Sequence, residues 1–265
     1  MSMTFHLMSD IHLEFGPLHL DESRDVGDAV LLVAGDYGMV TQRSHVEYMK
    51  HLAARYRRVL HTAGNHEYYG GRIDKVDRMW RELELEVPNY RYLNPGQTTI
   101  DDVLVLGASL WTDIHQSNPL DMYHVELSIN DYKKITVKDG NNYRKLRARD
   151  TTTINRTHRN YLSDRLAEVR NRSDIRAVVV MTHHAPLDVC VAPEHRNDYP
   201  TNYAYHNTRM EDWFTDDIRI DAWVHGHTHH PYTETVGRTR LICHPRGYVG
   251  FESTAVGYRP LEFTL

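Results

Sequence analysis

Six short apolar runs in this chain each stop at a polar turn, and this pattern limits the fold more than any other feature. Thr4–Met8 stops at Ser9-Asp-Ile-His12, Asp28–Ala34 at Gly35-Asp36, and Val59–Ala63 at Gly64-Asn-His66. Val103–Leu106 runs into Gly107–Asp113, Ala177–Thr182 stops at His183-His184, and Asp221–Val224 at His225-Gly-His227. Near-continuous, β-branched runs bounded by turn residues are expected to be buried strands. Between them, apolar groups at helical spacing predict helices over 41–57 (Val46, Met49, Leu52), 71–86 (Ile73, Val76, Trp80, Leu83) and 158–171 (Leu162, Leu166, Val169). Pro88 closes the second. Strand–helix alternation argues for an α/β layered fold, with the stretch from Arg238 to Leu265 expected as strands and turns. No repeat or linker divides the 265 residues, so one domain over 1–265 is expected.

Composition excludes several classes. No run of about 18 apolar residues exists, so a membrane span is not expected. The start lacks the charged n-region of a signal peptide. Two cysteines, Cys190 and Cys243, cannot make a disulfide framework, which points to a reducing, cytoplasmic setting. A net charge of −5 argues against a wholly basic nucleic-acid coat. The chain also carries 19 dispersed histidines, the commonest metal ligand and the usual acid or base near neutral pH.

One segment departs in charge. From Asn130 to Asn160 there are nine Lys or Arg against three acids, an excess of +6 that leaves −11 for the rest. This basic insertion or cap, at about 114–160, has two readings: a solvated surface insertion, or a cationic flap over an anionic substrate.

Five polar clusters fall at the ends of five of the apolar runs. In layered α/β sheets, ligands gather beyond the carboxyl ends of the strands. Asp10, His12, Asp36, Asn65, His66, His183, His225 and His227 are therefore expected to meet although distant in sequence. Carboxylate, amide and imidazole donors without thiolate suit Mn²⁺, Fe or Zn²⁺. Their number exceeds what one ion needs, and a central carboxylate such as Asp36 suits a bridge between two ions about 3.5–4 Å apart.

The order D-x-H, G-D, G-N-H, H, G-H-x-H resembles the calcineurin-like metallophosphoesterase superfamily. It stands here as Asp10-Ile-His12, Gly35-Asp36, Gly64-Asn-His66, His183 and Gly226-His227 with His225 before the glycine. More narrowly, Leu110-Trp-Thr-Asp113, Asn130-Asp-Tyr132, Thr182-His-His-Ala-Pro186 and Pro245-Arg-Gly-Tyr248 resemble small bacterial and phage members. The resemblance implies a four-layer α/β/β/α sandwich and an enzyme: a metal-dependent phosphohydrolase holding two divalent ions, Mn²⁺ first and Fe or Zn²⁺ as alternatives. It implies one ion on Asp10, His12, Asp36 and His227, and the other on Asp36, Asn65, His183 and His225. A bridging hydroxide would attack phosphorus, and His66, a non-ligand, would protonate the leaving oxygen.

Departures narrow the subclass. Met39 stands where the phosphoprotein phosphatases carry a second aspartate, and Ala63 precedes Gly64, so a protein phosphatase is disfavoured and the partner that orients His66 is not evident. The expected substrate is a small phosphate ester, a phosphodiester or small nucleotide ahead of a metabolite monoester, with a nuclease less favoured. The contrasting class, a scaffold that binds metal without chemistry, is opposed by the intact ligand set. His158, His184, His229 and His230 are read as structural or rim residues, and Cys190 and Cys243 as buried packing. The stretch Tyr199–His206 is read either as loop packing or as a stacking surface.

Overall fold

A computed structural model describes residues 2–265. The six runs form strands β1 (Thr4–Met8), β2 (Val30–Ala34), β3 (Arg58–Thr62), β6 (Val103–Ala108), β9 (Ala177–Thr182) and β10 (Ala222–His225), numbered in chain order. Shorter strands complete the set: β4 (Tyr90–Tyr92), β5 (Gly96–Ile100), β7 (Thr136–Asp139), β8 (Asn142–Lys145), β11 (Tyr232–Val236), β12 (Thr239–Cys243) and β13 (Leu261–Thr264).

Two main sheets result, ordered β13-β1-β2-β3-β4 and β11-β12-β10-β9-β6-β5. Strands β1 to β4 are mutually parallel, as are β6, β9, β10 and β12, so their carboxyl ends point the same way within each sheet. The period of two decides the layers. Phe5, Leu7, Val30 and Leu32 face Val103, Val105, Val179, Met181 and Val224 between the sheets. Leu31 and Val33 face outward, onto helices α1 (Arg43–Arg55) and α2 (Ile73–Glu86) through Met49, Leu52, Val76 and Trp80. Leu104, Val178, Val180 and Trp223 face outward on the other side, onto α6 (Ala148–Val169) through Leu162, Leu166 and Val169. The architecture is the expected four-layer α/β/β/α sandwich.

The segment 114–160 opens with α3 (Ile114–Ser117), a left-handed turn with φ between 40° and 63°. Helices α4 (Pro119–Ser128) and α5 (Asp131–Lys134) and the hairpin β7–β8 follow. Two of its nine cations are paired within the fold: Arg144 bridges Asp139 and Asp150, and Arg159 reaches Asp113. Arg147 and Arg149 lie exposed on the surface.

Candidate metal centre and active site

The chain leaves the strand ends through backbone that L residues seldom adopt. Asp10, His12, Asp36, His227 and His229 all have φ between 48° and 68°. Each such residue costs on the order of 1–2 kcal/mol, so the surrounding fold must hold them there. Two glycines permit the crowding. A Cβ on Gly64 would lie 2.1 Å from Asp36 Oδ1, and one on Gly226 would lie 2.6 Å from Asp10 Oδ2. Buried Glu67 ties the loops together, accepting from the N–H groups of Asp36, Tyr37 and Gly64 at 2.8–3.0 Å.

The side chains converge in two groups. In one, His12 Nε2 lies 3.2 Å from His229 Nε2, and His229 Nε2 lies 3.4 Å from Asp10 Oδ1. In the other, His183 Nε2 lies 3.2 Å from His227 Nδ1 and 3.1 Å from Asn65 Oδ1. Asp36 stands between, with Oδ1 3.4 Å from His183 Nε2 and Oδ2 3.6 Å from His12 Nε2.

The other nitrogen of each imidazole is engaged outside the cluster. His12 Nδ1 is 3.1 Å from Glu14, His229 Nδ1 2.8 Å from Glu252, His183 Nδ1 3.0 Å from the Ala34 carbonyl, and His227 Nε2 3.2 Å from the Ala204 carbonyl. Such outer partners fix the ring proton outward and leave the inner nitrogen as a lone pair. Two inner lone pairs 3.2 Å apart need a cation or a proton between them. Asp10 Oδ2, fully buried, also has no hydrogen-bond partner. These donors therefore fit divalent cations.

The protonation pattern follows the same need. Burial works against every charge here, but His229 and His183 outweigh it and hold Asp10 down to about 2. Asp10 in turn holds His229 up to about 10, against burial. His183, opposed by burial but facing Asp36, is held up to about 9. Burial and two neighbouring imidazoles, His184 and His183, push His227 well down.

His66 sits beside the pair with its Nδ1 2.8 Å from Glu14 Oε1, so Glu14 is the orienting carboxylate that the sequence left unidentified. Its Nε2 is 3.5 Å from the Tyr248 hydroxyl, and Tyr69 stacks on its ring at 4.1 Å. Burial lowers the His66 pKa, but Asp36 and Glu14 outweigh burial and raise it. Asn65 is oriented from the insertion: its Nδ2 donates to buried Asp131 at 2.8 Å, which leaves Oδ1 facing His183.

Six of the seven expected ligands are thus brought together: Asp10, His12, Asp36, Asn65, His183 and His227. His225 is not. Its position on β10 shares the parity of Trp223, whose ring packs outside the sheet, and its Nε2 bonds to the Tyr232 hydroxyl while its Nδ1 meets the Gly226 carbonyl. His229, expected on the rim, occupies the cluster instead. His227 also groups with His183 rather than with Asp10 and His12. Glu14, Asp131, His229 and Tyr248 were the residues that sequence reasoning missed. The available signals were the Gly226-His-Thr-His229 spacing and the Asn130-Asp-Tyr132 and Pro245-Arg-Gly-Tyr248 motifs.

A cavity of about 760 Å³ opens over the cluster. Asp36, Asn65, His66, His227 and His229 line it, with Asn130, Asp131 and Lys134 from the insertion and Tyr205 from the Tyr-rich stretch. Lys134 is the one Lys or Arg among the described lining residues. Tyr205 stacks on His227 at 4.9 Å, whereas Tyr203 packs on His115.

Two packed sheets with a carboxylate–imidazole cluster at their strand ends define a cation-binding hydrolase site. The calcineurin-like phosphoesterase family matches residues 3–231, and the chain belongs to that family, whose members are metal-dependent phosphohydrolases. An uncharacterized protein, L509, from Acanthamoeba polyphaga mimivirus is 28% identical over 244 residues, covering 84% of this chain and 83% of that one. The structure of a phosphopantetheinyl hydrolase from Mycobacterium tuberculosis superposes with a TM-score of 0.63 at 16% identity, covering 93% of this chain and 90% of the other. That likeness is one of fold. Among the described residues, no helix is long and apolar enough to cross a membrane.

Proposed function

We propose that this chain is a dinuclear phosphoesterase acting on a phosphodiester or small nucleotide. One observation carries the dinuclear reading: the two oxygens of Asp36 face different donor groups, Oδ2 toward His12 and Oδ1 toward His183. One ion would be held by Asp10, His12, Asp36 and His229, the other by Asp36, Asn65, His183 and His227. Divalent cations there, Mn²⁺ first and Fe or Zn²⁺ as alternatives, supply the Lewis acidity that polarises a phosphoryl group and acidifies water.

The chain's own residues do the rest. Glu14 keeps the Nδ1 proton of His66, so Nε2 is presented to the cavity. The raised pKa favours the protonated form of His66, which would donate to the departing ester oxygen. Asp131 fixes which face of the Asn65 amide meets the cluster. A single lysine at the cavity supports a substrate of one phosphate group over a nucleic-acid strand, which needs a row of cations. Hydrolysis of metabolite monoesters is the second reading.

The test is turnover of bis-p-nitrophenyl phosphate and p-nitrophenyl phosphate, with Mn²⁺ and with chelator, beside Asp36→Asn. Metal-dependent cleavage, faster for the diester and lost in the variant, is the expected result. Faster monoester cleavage selects the second reading, and full activity in Asp36→Asn overturns the dinuclear site.

A further inference from the structure

The chain has five phenylalanines. Phe5, Phe214 and Phe263 are buried in the cores. The other two are left in water, Phe15 at 45% exposure and Phe251 at 83%, and both line the one cavity over the cluster. Apolar rings left open at a cavity mouth are a binding feature rather than a packing one.

Their setting is ordered. Phe15 and Gly16 lie against the turn carrying Phe251, where the Phe251 N–H donates to the Tyr248 carbonyl at 3.1 Å and Val249 meets Gly16. The rings form a series leading out from the cluster: His12 to Tyr248 at 4.5 Å, then Tyr248 to Phe15 at 4.8 Å. A planar group entering the mouth continues that series. The same cavity is lined by amide and carboxylate groups, Asn130, Asn202 and Asp198, which offer both donors and acceptors to a heterocycle's edge. An aliphatic chain would leave these polar groups without partners.

Resting on the phosphoesterase reading, we propose that Phe15 and Phe251 form a stacking subsite for the base of a nucleoside phosphate, whose phosphate lies between the cluster and Lys134. The volume suits one nucleotide, since small-ligand sites run to about 300–1,000 Å³.

The probe is an uncleavable phosphonate analogue of adenosine monophosphate, titrated calorimetrically into the Mn²⁺-loaded protein beside ethylphosphonate. The nucleoside compound is expected to bind at least about tenfold tighter, the lower range for stacking one base. Phe15→Leu and Phe251→Leu each lose about tenfold for it and nothing for ethylphosphonate. Phe251→Trp restores the loss, and Leu127→Ala, an exposed apolar change outside the cavity, has no effect. Equal affinity for the two probes, or unchanged binding in the leucine variants, overturns the subsite. Hydrolysis of bis-p-nitrophenyl phosphate is followed on the same samples. Its failure, with p-nitrophenyl phosphate also left uncleaved, removes the phosphoesterase reading, while the titration still decides the subsite.

Discussion

At the scale of single residues, His225 and His229 show where sequence reading stops. His225, His227 and His229 are spaced by two, so strand periodicity offers all three to one face. The strand ends at His225, however, and His227 and His229 lie beyond it at positive φ. There the period of two no longer applies, and the choice falls to backbone strain that composition does not encode. Asp10, His12, Asp36, Asn65 and His183 were legible because each follows its strand directly. Glu14 and Asp131 were not, because they act through His66 and Asn65, and the Asn130-Asp-Tyr132 motif does not say what its aspartate touches. The expected consequence is measurable by titration with Mn²⁺. His229→Ala loses one site or weakens it at least about tenfold, as loss of even an outer partner does. His225→Ala keeps both sites and costs about 0.5–1.5 kcal/mol of stability by removing its hydrogen bond to the half-buried Tyr232 hydroxyl. A variant His225→Ala that loses a metal while His229→Ala keeps two would reverse this assignment.

At the scale of elements, α6 was half visible. Helical apolar spacing was legible over 158–171, yet the helix begins ten residues earlier, at Ala148. Its first half buries Ala148, Thr151, Thr152, Asn155 and His158, a helical face built of small and polar groups. Hydropathy is blind to that face because the contacts are hydrogen bonds: Asn155 donates to the Leu110 carbonyl at 3.1 Å and to Asn207 at 2.6 Å. In the same way the charged strands of the β7–β8 hairpin carry no apolar period that would mark them. His158 gives the element a pH signature. Burial alone pushes its pKa down to about 4, and its Nδ1 has no partner. The unfolded chain binds that proton near pH 6.5 and the folded chain does not, so its contribution is intact above 6.5 and is lost as pH falls toward 4. The loss amounts to about 3 kcal/mol across that window. In urea titrations of the metal-free protein, His158→Leu is expected to fall less steeply than wild type over that range and to be no less stable at pH 7.5. Parallel curves for the two proteins would assign the acid sensitivity elsewhere.

At the scale of the whole molecule, the cluster is a joint between two sheets. Asp10, His12, Asp36 and Asn65 come from the ends of β1, β2 and β3, while His183, His227 and His229 come from the ends of β9 and β10. The layered order was legible because parallel strands buried on both faces read as uninterrupted apolar runs. The joint itself was legible only through the order of its motifs, since no local property reports that two sheets will meet there. It places buried carboxylates and imidazoles against one another, and a ligand that binds only the folded state stabilises it through mass action. At about a hundredfold excess over its dissociation constant, such a ligand adds about 2.7 kcal/mol. For a chain of this size that raises Tm by roughly 5–10 °C. Protons compete for the same places, because His229 and His183 are held up to about 10 and about 9 by their carboxylates. Cation binding must displace them, so the gain shrinks as pH falls. Thermal melts with chelator and with Mn²⁺, run at pH 8 and pH 6, should therefore differ by several degrees at the higher pH and by less at the lower. Identical melts with and without Mn²⁺ at pH 8 would mean that protons alone satisfy the joint, and the cation reading of the cluster would fall with them.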